Sequence, residues 1–290
     1  MSEIIIPEES INLIKNYIKV DYKNVCKNLE ANVDFGAENQ FNLERIEERY
    51  ERVKQIFNEE QLKNKKILEI GSGSGMLVMY LRKKGIEAFG IEPEDNSLKA
   101  SEILFEKNGV ESCIKKGFGE KLPYSDETFD LIVSFQVLEH TQNPLKVLEE
   151  CKRVLKKEGI IYFVIPNYHS FWEGHFGLFW LPFLNKKMAK WYVKIFRRNT
   201  NFIDNLQFIT LKKIKNWSKQ LGLEILDLGE KNFKKNLSEE RIKKHWTSNK
   251  FLGRCIGFLR KTRITRFVSW LFIKFDLYYP IIFIAKKKAD

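Results

Sequence analysis

Short apolar runs alternate with amphipathic segments along most of the chain from residue 64 onward. Runs with the length of buried strands lie at 67–70, 88–91, 113–115, 128–134 and 160–165. Segments with apolar residues at helical spacing lie between them at 76–84, 96–108 and 144–155. Pro144 suits the first turn of the last segment, and Gly159 is predicted to end it. This alternation predicts an α/β fold with a parallel sheet and helical crossovers.

The first 63 residues have a different pattern. Apolar residues at helical spacing between Leu43 and Phe57 predict an amphipathic helix, and the charged residues of this segment occupy its other face. The polar segment from Asp34 to Phe41 contains a glycine and is predicted to be a loop near the active site. We therefore predict a helical cap over residues 1–63, packed on a main domain over residues 64–290.

A glycine-rich turn follows the first predicted strand. Residues 66–75 are Lys-Ile-Leu-Glu-Ile-Gly-Ser-Gly-Ser-Gly. A dinucleotide site has the pattern G-x-G-x-x-G, but Met76 occupies the third glycine position. Glu69 precedes the first glycine by two residues and suits a ligand with an ammonium group, which S-adenosylmethionine has and NAD lacks. The alternative is an ordinary glycine-rich turn between a strand and a helix.

An acid ends the second predicted strand. Glu92 lies 21 residues after Gly71, where a carboxylate can accept hydrogen bonds from ribose hydroxyls. The alternative is a surface acid. In a parallel sheet, ligands bind at the carboxyl ends of the strands. The segments that follow predicted strand ends should therefore meet at one rim: 71–75, 92, 118–120, 136–140 and 166–169.

Four motifs, in order along the chain, resemble those of class I S-adenosylmethionine-dependent methyltransferases. They are Ile67–Gly75, Glu92, Glu120–Asp130 and Val137–His140. Within that class, the ubiquinone/menaquinone-biosynthesis-type methyltransferase domain is the most similar, over about residues 45–228 and 280–286. The resemblance implies a Rossmann-like seven-stranded sheet, with helices on both faces and an antiparallel last strand. Residues 223–228 and 280–285 would be strands six and seven, and helical insertions would lie at about 166–209 and 229–279.

The resemblance also implies a set of cofactor-binding residues. Glu69 and the loop with Gly71, Ser72, Gly73 and Gly75 would hold the methionine part of S-adenosylmethionine. Glu92 would bind the ribose, the loop at Phe118, Gly119 and Glu120 would cover the adenine, and Gln136 would make a further contact. Many relatives have an aspartate where this chain has Phe118. A phenylalanine cannot bond the adenine amino group, so we expect Phe118 to pack on the ring.

Three histidines are candidates for a general base at the rim: His140, His169 and His175. The fourth histidine is His245. The alternative for His140 is that it orients the loop after the fourth strand, because Leu-Glu-His is common in the family whatever the substrate. Glu173 and His175, with Glu139 and His140, could bind a divalent cation, but such pairs are frequent by chance. We therefore predict no metal.

Composition supports a globular protein of 290 residues, with 43% hydrophobic and 30% charged residues. The four cysteines are far apart and form no C-x-x-C pair, which favours free thiols. We see no signal peptide and no apolar run of the roughly 18 residues that a membrane span needs. We therefore expect a cytoplasmic protein.

The net charge of +12 is unevenly distributed, because residues 229–290 carry +11 of it. Residues 249–275 alternate basic with apolar residues, a pattern typical of helices at an anionic membrane surface. The alternatives are a helical cap on the domain or an RNA-binding patch. Residues 171–196 are rich in aromatic side chains and are predicted to form an active-site lid. Membrane association would place the protein at the inner face of a membrane.

These features together predict an enzyme that O-methylates a hydrophobic, lipid-linked or glycan-type acceptor by direct displacement. The alternatives are a methyltransferase for RNA or a small soluble metabolite, and a non-catalytic binding protein. The sequence Ser134-Phe135-Gln136-Val137 replaces the Asn/Asp-Pro-Pro-Tyr/Phe motif of adenine and cytosine amino-methylating enzymes, which disfavours that reaction. The acceptor and the oligomeric state are not encoded in any pattern that we recognise.

Overall fold

The computed structural model describes residues 4–21, 29–238 and 264–288. In chain order the elements are α1 (Glu8–Asp21), α2 (Leu29–Phe41), α3 (Leu43–Lys54), α4 (Glu59–Leu62), β1 (Lys66–Ile70), α5 (Met76–Lys83), β2 (Glu87–Glu92), α6 (Asp95–Lys107), β3 (Ile114–Lys116), β4 (Phe129–Phe135), a 3-10 turn (Leu138–His140), α7 (Pro144–Val154), β5 (Leu155–Ile165), β6 (Trp172–Glu173), β7 (Leu178–Phe179), α8 (Lys186–Ile195), α9 (Phe202–Asn205), α10 (Leu211–Gln220), β8 (Leu223–Asp227), α11 (Gly229–Ser238), α12 (Ile264–Lys274) and β9 (Ile281–Lys287).

Within these residues, seven strands form one mixed sheet in the order β3-β2-β1-β4-β5-β9-β8. Strands β1 to β5 pair in parallel, and β9 pairs antiparallel with both β5 and β8. The Rossmann-like sheet with an antiparallel last strand is thus confirmed. The central strands are apolar on both sides because helices cover both faces of the sheet. Ile67 packs in the core on one face and Leu68 in the core on the other.

The N-terminal helices share a core with one face of the sheet. Ile14 of α1 and Val53 of α3 are fully buried in the cluster that also contains Val78 of α5. Asn42 caps α3 by accepting a hydrogen bond from the backbone N–H of Arg45. The helical nature of this region agrees with the sequence pattern, and the boundary at residue 63 stays a prediction.

Two local predictions were wrong. The segment 34–41 is not a loop but the C-terminal part of α2, because Val33, Ala37 and Phe41 recur every four residues and bury one helical face. Gly159 does not end a helix, because α7 ends at Val154 and β5 begins at Leu155. Leu155 is buried and pairs with Phe129 of β4, so the chain has already joined the sheet there.

The first insertion, residues 166–209, contains a β-hairpin as well as helices. Strands β6 and β7 pair antiparallel and precede α8 and α9. Several of its aromatic side chains form a separate apolar cluster around Trp180, which is fully buried. The purely helical description of this insertion was therefore incomplete. Of the second insertion, the structure describes α11 and α12, and residues 239–263 lie outside the described residues, His245 among them.

Candidate active site

The glycine loop after β1 is held in a shape that side chains would disturb. Gly71 has a φ of +70°, and a Cβ added there would lie 2.4 Å from a methyl carbon of Val137. The N–H groups of Gly71 and Ser72 donate to the carbonyl of Ile91, which ties the loop to the end of β2. Gly75, with a φ of +78°, precedes α5. Such positions strongly favour glycine, so the loop keeps its backbone open to a ligand.

Glu92 lies beside this loop at the tip of β2. Its carboxylate accepts hydrogen bonds from the backbone N–H of Gly73 at 2.8 Å and from that of Glu94 at 3.1 Å. Burial raises the pKa of Glu92, and the two N–H groups oppose that shift. The structure therefore brings together the two sequence features that had been linked only by their spacing.

Glu69 lies beneath the loop and is almost completely buried. Its Oε1 is 3.8 Å from Nη1 of Arg49, and its Oε2 has no hydrogen-bond partner among the described residues. Burial raises the pKa of Glu69 to about 8, the Arg49 guanidinium opposes the shift, and Glu92 adds to it. A buried carboxylate oxygen without a partner is uncommon and is suited to a cationic ligand group.

A cleft of about 720 Å³ runs from the glycine loop toward the first insertion. Of the predicted cofactor residues, Gly71, Ser72, Gly73, Glu92 and Gln136 line it, and Glu69 and Gly75 are not among its lining residues. Gln136 has a φ of +58°, and its Nε2 lies 3.4 Å from the hydroxyl of Tyr279, a residue at the far end of the chain.

The N-terminal helices supply part of the cleft that the sequence analysis did not assign. Gln40 of α2 accepts a hydrogen bond from the N–H of Ser74, and Arg45 and Arg49 of α3 line the same wall. The guanidinium of Arg49 also lies 4.9 Å from the ring centroid of Phe135. The sequence had predicted that segment 34–41 lies near the site. It could not show that Arg45 and Arg49 line the cleft, because nothing in the charged face of α3 marks which arginine turns inward.

The predicted adenine loop lies away from this lining. The side chain of Phe118 is 60% exposed. Glu120 accepts hydrogen bonds from the N–H groups of Gln142 and Asn143 and so supports the turn before α7. Neither these two residues nor Gly119 is among those that line the cleft. Their role toward the adenine stays a prediction.

Two of the three candidate histidines meet in the cleft. The Nε2 atoms of His140 and His175 are 3.1 Å apart, and Nδ1 of His175 is 2.6 Å from Oε1 of Glu173. The other oxygen of Glu173 accepts a hydrogen bond from the N–H of Phe176. His169 lies elsewhere, with its ring centroid 4.5 Å from that of Phe183. The imidazole pair thus joins the end of β4 to the first insertion.

Glu139 completes this group from beneath. It is fully buried, and in the described part of the chain no group donates a hydrogen bond to either of its carboxylate oxygens. Burial raises the pKa of Glu139 to about 7, with His175 acting in the opposite direction. Desolvation of the ring and the neighbouring His175 lower the pKa of His140, so its imidazole is neutral at pH 7.

Comparison with known proteins gives consistent matches. A family model described as "Methyltransferase domain" matches residues 68–163, which include the glycine loop, Glu92 and His140. The ubiquinone biosynthesis O-methyltransferase of Pseudomonas putida (strain W619) is 27% identical over 61% of this chain and 72% of its own length. The enzyme of the same name from Dinoroseobacter shibae is 32% identical over 34% of this chain and 40% of its own. The chain is an S-adenosylmethionine-dependent methyltransferase.

Among solved structures, the methyltransferase is similar to Haemonchus contortus phosphoethanolamine N-methyltransferase 2 in complex with S-adenosyl-L-methionine. That similarity covers 77% of this chain and 49% of the other, with 18% sequence identity and a TM-score of 0.48. The cofactor of the methyltransferase is S-adenosylmethionine. The glycine loop and the imidazoles of His140 and His175 line one cleft, an arrangement that can combine methyl donation with proton removal.

Proposed function

We propose that this methyltransferase transfers the methyl group of S-adenosylmethionine to a hydroxyl oxygen of a hydrophobic, lipid-linked or glycan-type acceptor. The observation that carries the proposal is the pair His140 and His175 in the cleft that the glycine loop also lines. A hydroxyl must lose its proton to become a strong nucleophile, and histidine is the commonest group that takes one. The O-methyltransferases of ubiquinone biosynthesis that the chain matches perform this class of reaction.

The cofactor fits the residues on the donor side. The partnerless Oε2 of Glu69 can pair with the ammonium of the methionine part, above the backbone of Gly71 and Gly73. Glu92, with one oxygen already on Gly73, keeps acceptor capacity for the ribose hydroxyls. S-adenosylmethionine supplies an electrophilic methyl group on its sulfonium, and the residues of this chain would position and orient that methyl group toward the acceptor.

The proton acceptor on the other side is prepared by Glu173. Its carboxylate holds Nδ1 of His175, which favours a proton on that nitrogen and a lone pair on Nε2. Nε2 faces His140, so the two rings can pass a proton between them. We infer that the pair removes the acceptor proton and that Glu173 positions His175.

The first insertion supports a hydrophobic acceptor. The turn that joins β6 to β7 lines the cleft at Gly174 to Gly177, and the flanking Trp172 and Phe179 are exposed. The hydroxyl of Tyr192 in α8 donates to the carbonyl of Phe179, so α8 is fixed to this hairpin. Exposed aromatic side chains therefore stand next to the opening of the cleft, where they can receive an apolar acceptor.

We propose further that an anionic membrane surface presents the acceptor. Met188, Trp191 and Ile195 form an exposed apolar face of α8, whose sequence carries lysines and no acid. Phe267 and Trp270 are exposed on α12, the described part of the basic amphipathic segment. Basic residues beside an apolar face favour anionic lipid. In the described part of the chain, no helix is long and apolar enough to cross a bilayer.

A transfer assay tests the proposal. The protein is incubated with tritiated-methyl S-adenosylmethionine and a bacterial membrane extract, and the product is partitioned between organic solvent and water. We expect label in the organic fraction that survives mild alkali, as a methyl ether does and a methyl ester does not. Gly73→Arg is the donor-site control and should give none. Label only in RNA or in a water-soluble metabolite would replace the proposed acceptor, and no label in any fraction would contradict catalysis.

A further inference from the structure

We propose that Glu139, His140 and His175 form a binding site for a divalent transition-metal ion such as Zn²⁺ or Co²⁺. This inference deepens the proposed function, since the same histidines face the acceptor, but metal binding can be measured without any acceptor. It reverses the expectation from sequence, which had noted these residues together with Glu173 and had predicted no metal. Three observations support it: the spacing of the ligand atoms, the support of His175 by Glu173, and the burial of the Glu139 carboxylate without a hydrogen bond.

The ligand atoms have the spacing of a metal site. One ligand atom from each of the three side chains lies within 4.8 Å of the others. The two Nε2 atoms are 3.1 Å apart, and Oε1 of Glu139 is 3.8 Å from Nε2 of His140. Nitrogen ligands about 2.0–2.1 Å from a tetrahedral zinc ion are roughly 3.3 Å from each other. Small side-chain rotations would place all three on one ion.

Glu173 plays the part of a supporting carboxylate. Histidines that bind metals usually donate their second ring N–H to a carboxylate or carbonyl, which fixes the tautomer and leaves the other nitrogen as the ligand. Oε1 of Glu173 is 2.6 Å from Nδ1 of His175, and Glu173 is itself held by the N–H of Phe176. The lone pair of His175 is thereby directed at the space between the two rings and Glu139.

The buried carboxylate of Glu139 also favours a cation at this position. Glu139 is fully buried, and among the described residues neither of its oxygens accepts a hydrogen bond. A hydrogen bond between the rings would satisfy the two nitrogens but would leave the carboxylate without a partner, which is unusual for a buried group. One divalent ion would satisfy the carboxylate and both nitrogens and would offset the negative charge.

Such an ion would have three protein ligands, and its remaining positions would face the cleft, as in catalytic metal sites. We infer that the acceptor is an alcohol or phenol whose oxygen binds there. In this case His140 and His175 would hold the ion instead of taking the acceptor proton themselves. Coordination would lower the pKa of the hydroxyl, which would release its proton to solvent. The oxygen would then attack the methyl carbon of the sulfonium, the carbon–sulfur bond would break, and S-adenosylhomocysteine would leave as a neutral thioether.

The test is a titration of the full-length protein after dialysis against chelator. We expect one equivalent of Zn²⁺ to bind by calorimetry, and one equivalent of Co²⁺ to give the visible absorption of a low-symmetry cobalt site. Glu139→Gln and His175→Ala should each abolish stoichiometric binding. Glu173→Gln, which keeps the ligands but weakens their support, should lower the affinity about 10–100-fold. His169→Ala removes a histidine outside the group and should leave metal affinity unchanged.

Binding of S-adenosylhomocysteine, measured on each variant, shows that the donor side is still folded. The inference is overturned if the wild-type protein binds no equivalent of metal, or if His175→Ala binds it as the wild type does. Methyl transfer that persists in the presence of chelator would overturn the catalytic use of the metal and leave the proposed function intact. Metal binding without any methyl transfer would overturn the proposed function and leave the metal site.

Discussion

The two sides of the cleft are built in different ways. On the donor side, Glu69, the glycine loop and Glu92 lie within 24 consecutive residues and are joined by backbone hydrogen bonds between neighbouring strand ends. On the acceptor side, His140 follows β4 and His175 comes from an insertion 35 residues later. The donor side therefore follows from local chain geometry, whereas the acceptor side exists only once distant segments have packed.

This difference predicts that the two sides can be disabled separately. Damage to the glycine loop should remove cofactor binding and, with it, all transfer. Damage to the first insertion should leave cofactor binding unchanged and reduce only the binding or methylation of the acceptor. The following predictions test this separation, beginning with the largest expected effect.

Gly71→Ala should have the largest effect. The added Cβ meets Val137 at 2.4 Å, and the φ of +70° is unfavourable for alanine, so the loop must move. Strain and overpacking of this kind each cost about 1–3 kcal/mol. We expect the affinity for S-adenosylhomocysteine, measured by calorimetry, to fall by more than about tenfold.

Gly85→Ala is the matched control for that variant. Gly85 has a φ of +75°, but no atom of the residues that the structure describes lies within 4 Å of an added Cβ, so this variant carries the backbone strain without the clash. We expect it to lower the melting temperature and to leave cofactor affinity unchanged. Equal affinities in Gly71→Ala and the wild type would show that the loop does not hold the cofactor.

Trp191→Ser should affect only the acceptor side. The side chain is 69% exposed on α8, so its loss should cost little stability. If it enters a membrane surface, its removal should weaken binding to anionic vesicles by roughly fivefold, about 1 kcal/mol of apolar burial. Flotation with phosphatidylglycerol vesicles measures this, and cofactor affinity should be unchanged.

Leu226→Ser provides the control for the membrane prediction. Leu226 is 58% exposed, but it lies on the edge strand β8, outside both insertions. Its replacement removes a comparable exposed apolar group and should leave vesicle binding as it is. If both variants float like the wild type, the exposed face of α8 is not a membrane-binding surface.

Glu69→Gln tests the donor side through the pH dependence of stability. The pKa of Glu69 is about 8 in the folded protein against an ordinary value of 4.5. At pH values between 4.5 and 8, the Glu69 side chain has lost its proton in the unfolded chain but retains it in the folded protein. The stability that Glu69 contributes is therefore lost as the pH rises toward and through 8. A glutamine at this position does not titrate. The cofactor-free variant should therefore gain on the wild type by roughly 6 °C in melting temperature between pH 5 and pH 8.5.

Differential scanning calorimetry of the wild-type protein and the variant, repeated across this pH range, measures the two melting temperatures. Glu139, whose pKa is raised to about 7, is present in both proteins and cancels in their difference. A constant difference in melting temperature from pH 5 to pH 8.5 would contradict the raised pKa of Glu69. The same variant should bind S-adenosylhomocysteine about tenfold more weakly, because a charge-assisted bond to the ammonium is lost.

The comparison of the two sides also explains which features the sequence could predict. Strand ends, the glycine loop and Pro144 at the start of α7 carry local signals, and the structure has them where expected. The prediction of a loop at 34–41 was wrong because a polar helix face with one glycine has the same sequence pattern as a loop. Only the burial of Val33 and Ala37 distinguishes the two, and that burial cannot be read from the sequence. Arg49 and Tyr279 could not be found, since only the tertiary packing turns them toward the cleft.

The histidines illustrate the same limit. All three were candidates at the rim, His140 and His169 because they follow predicted strand ends and His175 because it lies in the insertion after the fifth strand. No local pattern separated His169 from the others. Only the packing of the insertion places His175 on His140 and leaves His169 against Phe183. The identity of the acceptor is harder still, because it depends on surfaces that the insertions form rather than on any motif.

The most direct test of the central claim is equilibrium dialysis of the wild-type protein with tritiated S-adenosylmethionine. The claim is that the loop at Gly71 to Gly75, with Glu69 and Glu92, binds this methyl donor rather than a dinucleotide. We expect S-adenosylmethionine to bind saturably at one site per chain, to be displaced by S-adenosylhomocysteine and to be unaffected by excess NAD⁺. The absence of saturable binding, or displacement by NAD⁺, would contradict it.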